Sequence, residues 1–547
     1  MNLKKELSLL LSLLLCGSMM TACGQITASA ENTENTPVFA AAAEQTDDAA
    51  EAAEEETVLR LSDAEGDLTI TEAGTYRLSG TLSDGQIVIK APEDAKVKLI
   101  LDGVRITKEG GAAVYAVSAD KLVISTAAGS ENSLCSTGNY VQTDDNNVDA
   151  AVFAKCDLTF SGDGELTLFS ETGHGAATKD DLKIKSGSIT VEAAKKGLDG
   201  RDSVTVEDGE ITISAGTKGI VSSHDENEEK GLIDISGGTV TVVSQDDSLH
   251  ASNSVSISGG MLLLRSGDDG IHADALLSIS GGSVTVAESY EGLEAQVIDI
   301  SGGEIDVTAS DDALNAAGGS DGSNDFGPFG GDPFDTDQSA GLSISGGRLL
   351  IDAGGDGLDS NGSLDVSGGE IYVSGPTNSG NGAMDYGISA SISGGTLIAA
   401  GASGMAENFG SASTQGSILL NFSAQQAGST VSIADESGTV LASFTPTKSY
   451  SSVVISTEGL TVGGSYTVTA GTYSETVTLS SLIYGSGMGM GMGGPGGMGM
   501  GGPGGMGGQG GSGDFGGGHS QGGFGGMGGQ MGGPGGGMGG PGDGFQP

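Results

Sequence analysis

The amino-acid sequence predicts an all-β protein: a parallel β-helix of about 22 residues per coil, then a small antiparallel β module, then a Gly/Met-rich tail. Three observations point there. A short phrase recurs as Ser256-Ile-Ser-Gly-Gly260 with Asp268-Asp-Gly-Ile-His-Ala273, as Ser278-Ile-Ser-Gly-Gly282 with Glu291-Gly-Leu-Glu-Ala295, and as Asp299-Ile-Ser-Gly-Gly303 with Asp311-Asp-Ala-Leu-Asn-Ala316. Gly259, Gly281 and Gly302 stand 22 and then 21 residues apart, a period that marks a solenoid whose repeats bury their apolar side only against their neighbours. Residues after each Gly-Gly turn alternate, which directs Val284, Val286, Ile305 and Val307 inward. Aliphatic residues also recur in register, as Leu198, Ile220, Leu249, Ile271, Leu293, Leu314 and Leu358, and as Ile257, Ile279, Ile300, Ile344 and Val366.

Taken from the start, residues 1–22 read as an export signal: Lys4 and Lys5, a largely apolar run from Leu7 to Leu15, then Met20-Thr-Ala-Cys23. That ending resembles a bacterial lipobox, which implies cleavage before Cys23 and a diacylglycerol on its sulfur; a plain secretory peptide is the alternative. The expected location is extracellular, on the cell surface and lipid-anchored to the membrane. Residues 23–56 are Ala, Glu and Thr with almost no large apolar residues, a solvated linker.

The β-helix is expected over 57–410. Val58-Leu-Arg-Leu61, Leu68-Thr-Ile-Thr71, Gln86-Ile-Val-Ile89 and Val97-Lys-Leu-Ile-Leu101 are β-rich runs between Gly-containing breaks, and the clear register begins at Asp181-Leu-Lys-Ile184. Cys135 and Cys156 lie 21 residues apart, about one repeat. Stacked in register they are either a disulfide or two free thiols acting as small apolar residues. An insertion at 318–340, rich in Gly, Asp, Phe and Pro, interrupts the period. Residues 411–484 carry strand runs joined by tight turns, an antiparallel module expected to cap the open end. Residues 485–547 should be disordered. Nine of the fifteen methionines lie in this tail, and thioethers suit Cu(I); with His519 alone beside them, a flexible spacer is the simpler reading.

Composition bears on chemistry. Acidic residues number 72 against 22 Lys plus Arg, a formal charge of −50. Nucleic acid is thereby excluded as a partner, and anionic membrane surfaces are disfavoured. The period also stacks charges. Relative to the glycine opening each short strand, the preceding column holds Lys196, Lys218, Asp247, Asp269, Glu291, Asp312 and Asp356. The column two beyond it holds Asp199, Val221, His250, His272, Glu294, Asn315 and Asp359. Like charges about 5 Å apart cost on the order of 3 kcal/mol per pair at an effective dielectric of 20. Ca2+ offsets that repulsion most simply, because it takes six to eight oxygens in irregular geometry. Candidate ligands are Asp247, Asp269, Glu291, Glu294, Asp312, Asn315, Asp356 and Asp359. Solvated turn residues are the plainer alternative; His250 and His272 are residue types that ligate transition metals, and read more simply as exposed polar ladder residues.

Ile70-Thr-Glu-Ala-Gly-Thr-Tyr-Arg-Leu-Ser-Gly80, Val97-Lys-Leu-Ile-Leu-Asp-Gly103, Lys196-Gly-Leu-Asp-Gly200, the Ser-Gly-Gly coils and Phe444-Thr-Pro-Thr-Lys-Ser-Tyr450 together resemble the carbohydrate-binding β-helix family of Gram-positive cell surfaces. The resemblance implies a right-handed parallel β-helix, similar to family-nine pectate lyases, that binds Ca2+ and acidic plant-type polysaccharide. Lys196, Lys218 and Val221 depart from an acidic column, and Ser248 and Ala313 replace glycine. The expected function is non-enzymatic: a monomeric surface lipoprotein in which Ca2+ bridges to uronate carboxylates, with Tyr290, Tyr372 and Tyr386 as the candidate sugar-stacking residues. A polysaccharide lyase is the enzymatic alternative. It needs a base beside a Ca2+-neutralised uronate, for which Lys196, Lys218 and Arg265 are candidates. A structural spacer is the third reading.

Overall fold

The computed structural model describes residues 56–64, 66–317 and 337–485. The export signal, Cys23, nearly all of the linker, the insertion up to residue 336 and the tail beyond residue 485 lie outside the described residues. Within them the protein is a parallel β-helix, with one short helical turn at Leu61–Asp63.

Each regular coil contributes three strands. One coil runs Leu249–Ala251, Ser254–Ile257 and Met261–Arg265, and the next pairs in parallel with all three. The short-strand sheet stacks Leu198, Ile220, Leu249, Ile271, Leu293, Leu314 and Leu358 in the expected order. The second sheet stacks Ile257, Ile279, Ile300, Ile344 and Val366. A third stacks Val240, Leu262, Val284, Ile305, Leu349 and Ile371. These side chains are buried, and each contributes roughly 1.5–3 kcal/mol relative to exposure.

The Gly-Gly turn has two separate causes. A Cβ on Gly281 would stand 2.5 Å from the Ser258 carbonyl oxygen, since the coil behind closes directly on it. Gly282 holds φ at +80°, in the left-handed region that glycine alone adopts cheaply. One turn thus needs both residues.

Earlier coils are longer, and this overturns one expectation. Cys135 pairs across the sheet with Phe169, because residues 138–149 form a loop inside that coil. Cys156 lies in a different turn, before the strand Asp157–Gly162, and both thiols are free. Burial pushes the Cys156 thiol up to about 12, so it behaves as a small apolar residue.

At the far end, Thr396–Gly401 receives the antiparallel strand Tyr450–Ser456, which in turn pairs with Ser417–Gln425. A second antiparallel sheet, in the order Val440–Phe444, Val431–Ala434, Ser465–Ala470 and Tyr473–Thr478, packs alongside. The sheet edge of the last coil is therefore occupied within the chain.

Candidate functional site

The site grows out of the short-strand sheet. Backbone N–H groups of Gly197, Gly219, Ser248, Gly270, Gly292 and Ala313 donate to the carbonyls of Lys218, Asp247, Asp269, Glu291, Asp312 and Asp356 at 2.9–3.1 Å. Strand pairing likewise aligns Asp199, Val221, His250, His272, Glu294, Asn315 and Asp359. Both columns therefore exist as the period implies. One member was missed: Gly357 donates to Gly382, and Asp385 donates back to Leu358, which places Asp385 one coil beyond Asp359. The step from Gly357 to Ala383 is 26 residues, longer than the period, and Gly382-Ala-Met-Asp385 is the weak signal that marks it.

The columns are not the solvated outer stack that turn chemistry suggests. Asp247 and His272 are fully buried, Asp269 is 4% and Asn315 8% exposed. Stacked in register, each side chain is covered by its equivalents one coil away, at about the 4.8 Å strand spacing. Charges in such a place need partners.

The earlier half supplies them from protein. Lys196 Nζ lies 3.0 Å from Asp199. Lys218 pairs with Asp247 and lies 3.6 Å from Asp246 and 3.1 Å from His250. Against the upward push of burial, His250 and Lys218 hold the Asp247 carboxyl well below the usual range. The His250 and His272 rings stack at 4.8 Å. His272 Nδ1 lies 3.1 Å from Asp269 and 2.6 Å from Glu294, and its Nε2 lies 3.1 Å from Asp274. Burial opposes its charge, yet three carboxylates raise His272 to about 12. It is buried among carboxylates, which favour its charged form, and is not the exposed ladder residue expected. Burial, with Glu294 facing it, raises Asp269 to about 8, while His272 lowers Glu294. Asp269, His272 and Glu294 thus form an internally neutralised group. A metal could use their ligand atoms, which lie within 4.8 Å of one another, only by displacing protons.

The later half is different. Burial raises Glu291 to about 8, Asp312 to about 6, Asp356 to about 7 and Asp359 to about 8, and neighbouring carboxylates add to each shift. Asp385 is raised by the same cause, and Glu407 reaches about 7. None of these six forms an ion pair with a Lys, Arg or His among the described residues. Backbone bonds hold the short carboxylates in place: Asp312 accepts from the Asp356 N–H at 2.5 Å, and Asp356 accepts from the Gly382 N–H. Asp356, Asp359 and Asp385 each bring an oxygen within 4.8 Å of the other two. Asn315 donates to Glu291 at 2.8 Å, and its buried Oδ1 has no hydrogen-bond partner among the described residues, nor has Glu407 Oε2. Carboxylates with one amide oxygen form an all-oxygen set, the chemistry that Ca2+ takes and transition metals do not prefer.

Of the other candidates, Arg265 lies on the third sheet in an exposed ion pair with Glu288 at 3.0 Å. Tyr372 stacks on Phe444 at 5.3 Å, and Tyr386 packs on the core and donates to the Asn408 carbonyl at 2.8 Å. Both are thus drawn into packing, the plainer alternative to a sugar platform. Tyr290 remains 48% exposed, between Asp268 and Asp311 in the turn beside the acidic columns.

Comparison with known proteins follows this geometry. Residues 64–316 match a family described as "Carbohydrate-binding domain-containing protein". A protein of that same description from Acetivibrio thermocellus is 39% identical over 135 residues, 24% of this chain and 47% of the relative, so the match spans about half of that protein's length. A solved structure of a polysaccharide lyase-like protein from C. thermocellum, a gadolinium derivative, is 33% identical, with a TM-score of 0.37, over 45% of this chain and 96% of that one.

Proposed function

We propose that this protein is a non-enzymatic carbohydrate-binding protein that holds acidic polysaccharide, of the polygalacturonate kind, through Ca2+ seated on the later acidic columns. The observation that carries the reading is the run Glu291, Asp312, Asn315, Asp356, Asp359 and Asp385: oxygens in register on a buried Asn315 and five half-buried carboxyls, facing one another with no basic side chain paired to them among the described residues. Such groups must hold either protons or a cation. Ca2+ bound there keeps coordination sites for an outside carboxylate, which explains how a chain of charge −50 attracts an acidic glycan. Tyr290 stands beside that position as an exposed apolar surface for a sugar ring. The likeness of residues 64–316 to carbohydrate-binding domains supports the class of ligand. Cys23 would tether the protein to the cell surface by its lipid, and the rod would present the columns as a monomer.

Engagement of Lys196, Lys218 and Arg265 with carboxylates favours binding over lyase chemistry, because a base must be free to take a proton. A glycan array at physiological salt, with Ca2+ and with chelator, tests the reading. Retention of polygalacturonate that weakens by about tenfold or more without Ca2+ is expected. No retention of any uronate polymer, or retention indifferent to chelator, would refute it.

A further inference from the structure

The cations of this chain are unevenly placed, and most are committed. Lys183 pairs with Glu207, Lys195 with Asp149, Lys196 with Asp199, Lys230 with Asp202 and Arg348 with Glu304 and Glu370. Three are not. Lys155, Lys179 and Arg201 each follow directly on a short strand, and strand pairing aligns Ala154 with Thr178 and Thr178 with Gly200. The backbone repeats the same contact, Lys179 N–H to the Ala154 carbonyl at 3.1 Å and Arg201 N–H to the Thr178 carbonyl at 3.2 Å. Equivalent turns of three successive coils thus carry exposed cations, roughly 4.8 Å apart at the backbone. None of the three forms an ion pair among the described residues; Lys179 instead lies 5.4 Å above the Phe153 ring. Of the carboxylates beside the strip, Asp202 is held by His224 at 2.7 Å and by Lys230, whereas Asp157, Asp180 and Asp181 gather in an acidic cluster of their own, with oxygens within 4.8 Å of one another.

The strip flanks the same sheet as the acidic columns. Phe153, Ala177, Asp199, Val221 and His250 are paired in unbroken succession, so the register beside Lys155, Lys179 and Arg201 continues coil by coil into the column that carries Glu294 to Asp385; Phe153 and Ala177 are buried with Tyr115 and Val148, which leaves the flanking turns with the three cations as the exposed part of this stretch. Aligned like charges repel, and a ligand that repeats a negative charge along its length relieves that repulsion.

We propose that Lys155, Lys179 and Arg201 form a second, calcium-independent subsite for the carboxylates of a uronate polysaccharide, which would lie along the short-strand face with this stretch on the cations and a later stretch on the acidic columns. The inference rests on the carbohydrate-binding reading and deepens it. Arg201 presents a planar fork to a carboxylate, and the two ammonium groups act as point charges. The two subsites differ in their response to conditions: salt weakens the cationic one, chelator the acidic one.

The test uses the mature chain, polygalacturonate as probe and fully methyl-esterified pectin as its uncharged counterpart. Binding is measured in chelator at low salt. The wild-type protein should retain polygalacturonate but not the ester, and lose it as salt is added. Lys155→Gln/Lys179→Gln/Arg201→Gln should weaken that binding by about tenfold or more. Arg105→Gln/Lys185→Gln/Arg348→Gln removes the same charge from other faces and should change it by less than about twofold. Melting curves of both triple variants establish folding, and restoring Lys179 alone should recover part of the affinity. Equal losses in the two triple variants, equal retention of the ester, or no wild-type binding in chelator while Ca2+-dependent binding persists, each overturns the subsite and leaves the calcium reading standing. Absence of binding with and without Ca2+ overturns both.

Discussion

Asp359→Asn isolates the electrostatics of the later column. Asparagine preserves the shape of the side chain and removes one charge. In the wild type that charge lies with Asp356 and Asp385 in a group whose oxygens fall within 4.8 Å of one another. At that distance and an effective dielectric of 20, one like-charge pair costs about 3 kcal/mol. Burial and these neighbours raise Asp359 to about 8 and Asp356 to about 7. Below about pH 4 the carboxyls are protonated in both folded and unfolded chains, and the column costs nothing. As pH rises through that value the unfolded chain releases protons that the folded chain keeps, so metal-free stability falls, by about 1.4 kcal/mol per pH unit per raised group, until about pH 8. In chelator, Asp359→Asn should therefore match the wild type near pH 4 and exceed it by about 5–6 kcal/mol near pH 8. Ca2+ should narrow that gap, since at about a hundred times Kd it stabilises the wild type by about 2.7 kcal/mol while the variant has lost a ligand. Denaturant titrations across pH, with Ca2+ and with chelator, read both effects. A variant less stable than the wild type in chelator at pH 8, or one stabilised by Ca2+ as much as the wild type, refutes the reasoning.

Four further outcomes follow from the same geometry. His272→Gln should destabilise the protein by about 3–5 kcal/mol at neutral pH, because buried Asp269 and Glu294 lose their imidazolium; chemical denaturation measures it. Asn315→Leu should leave metal-free stability within about 1.5 kcal/mol of the wild type but weaken Ca2+ affinity, read by calorimetric titration, since it loses one hydrogen bond, to Glu291, while its Oδ1 has no partner to lose. Gly282→Ala should lower stability by about 1 kcal/mol or more, whereas the same change at half-buried Ser283 should not, a contrast that a pair of melting curves resolves. Incubation with polygalacturonate and Ca2+ should give no rise in the absorbance of unsaturated products; steady formation that vanishes in Lys196→Gln or Lys218→Gln would establish lyase chemistry instead.

Register was readable before any coordinates. The ladders from Leu198 to Leu358 and from Ile257 to Val366 pair as the 21–22-residue period implies, because each coil repeats one local pattern of alternation and Gly turns. The alignment of Asp269 with Glu291 and Asp312 follows from the same counting. Where coil length departs from the period, counting fails: Cys135 meets Phe169 and not Cys156, and Asp385 joins the column across a 26-residue step.

Depth and partnership belong to the tertiary structure. Asp-Gly in a turn is ordinarily solvated, yet Asp247 and His272 are fully buried, because packing of one coil on the next closes water out of the column. Which acid is neutralised depends on which cation reaches it, and that is set by side-chain direction in three dimensions. His272 gathers Asp269, Asp274 and Glu294, and Lys218 takes Asp247. Glu291, Asp312, Asp356, Asp359 and Asp385 are left facing one another, a distinction invisible in a string where all of them are simply acidic. A one-dimensional period decides what stacks on what; only the folded chain decides which of those stacked charges remains to be met from outside.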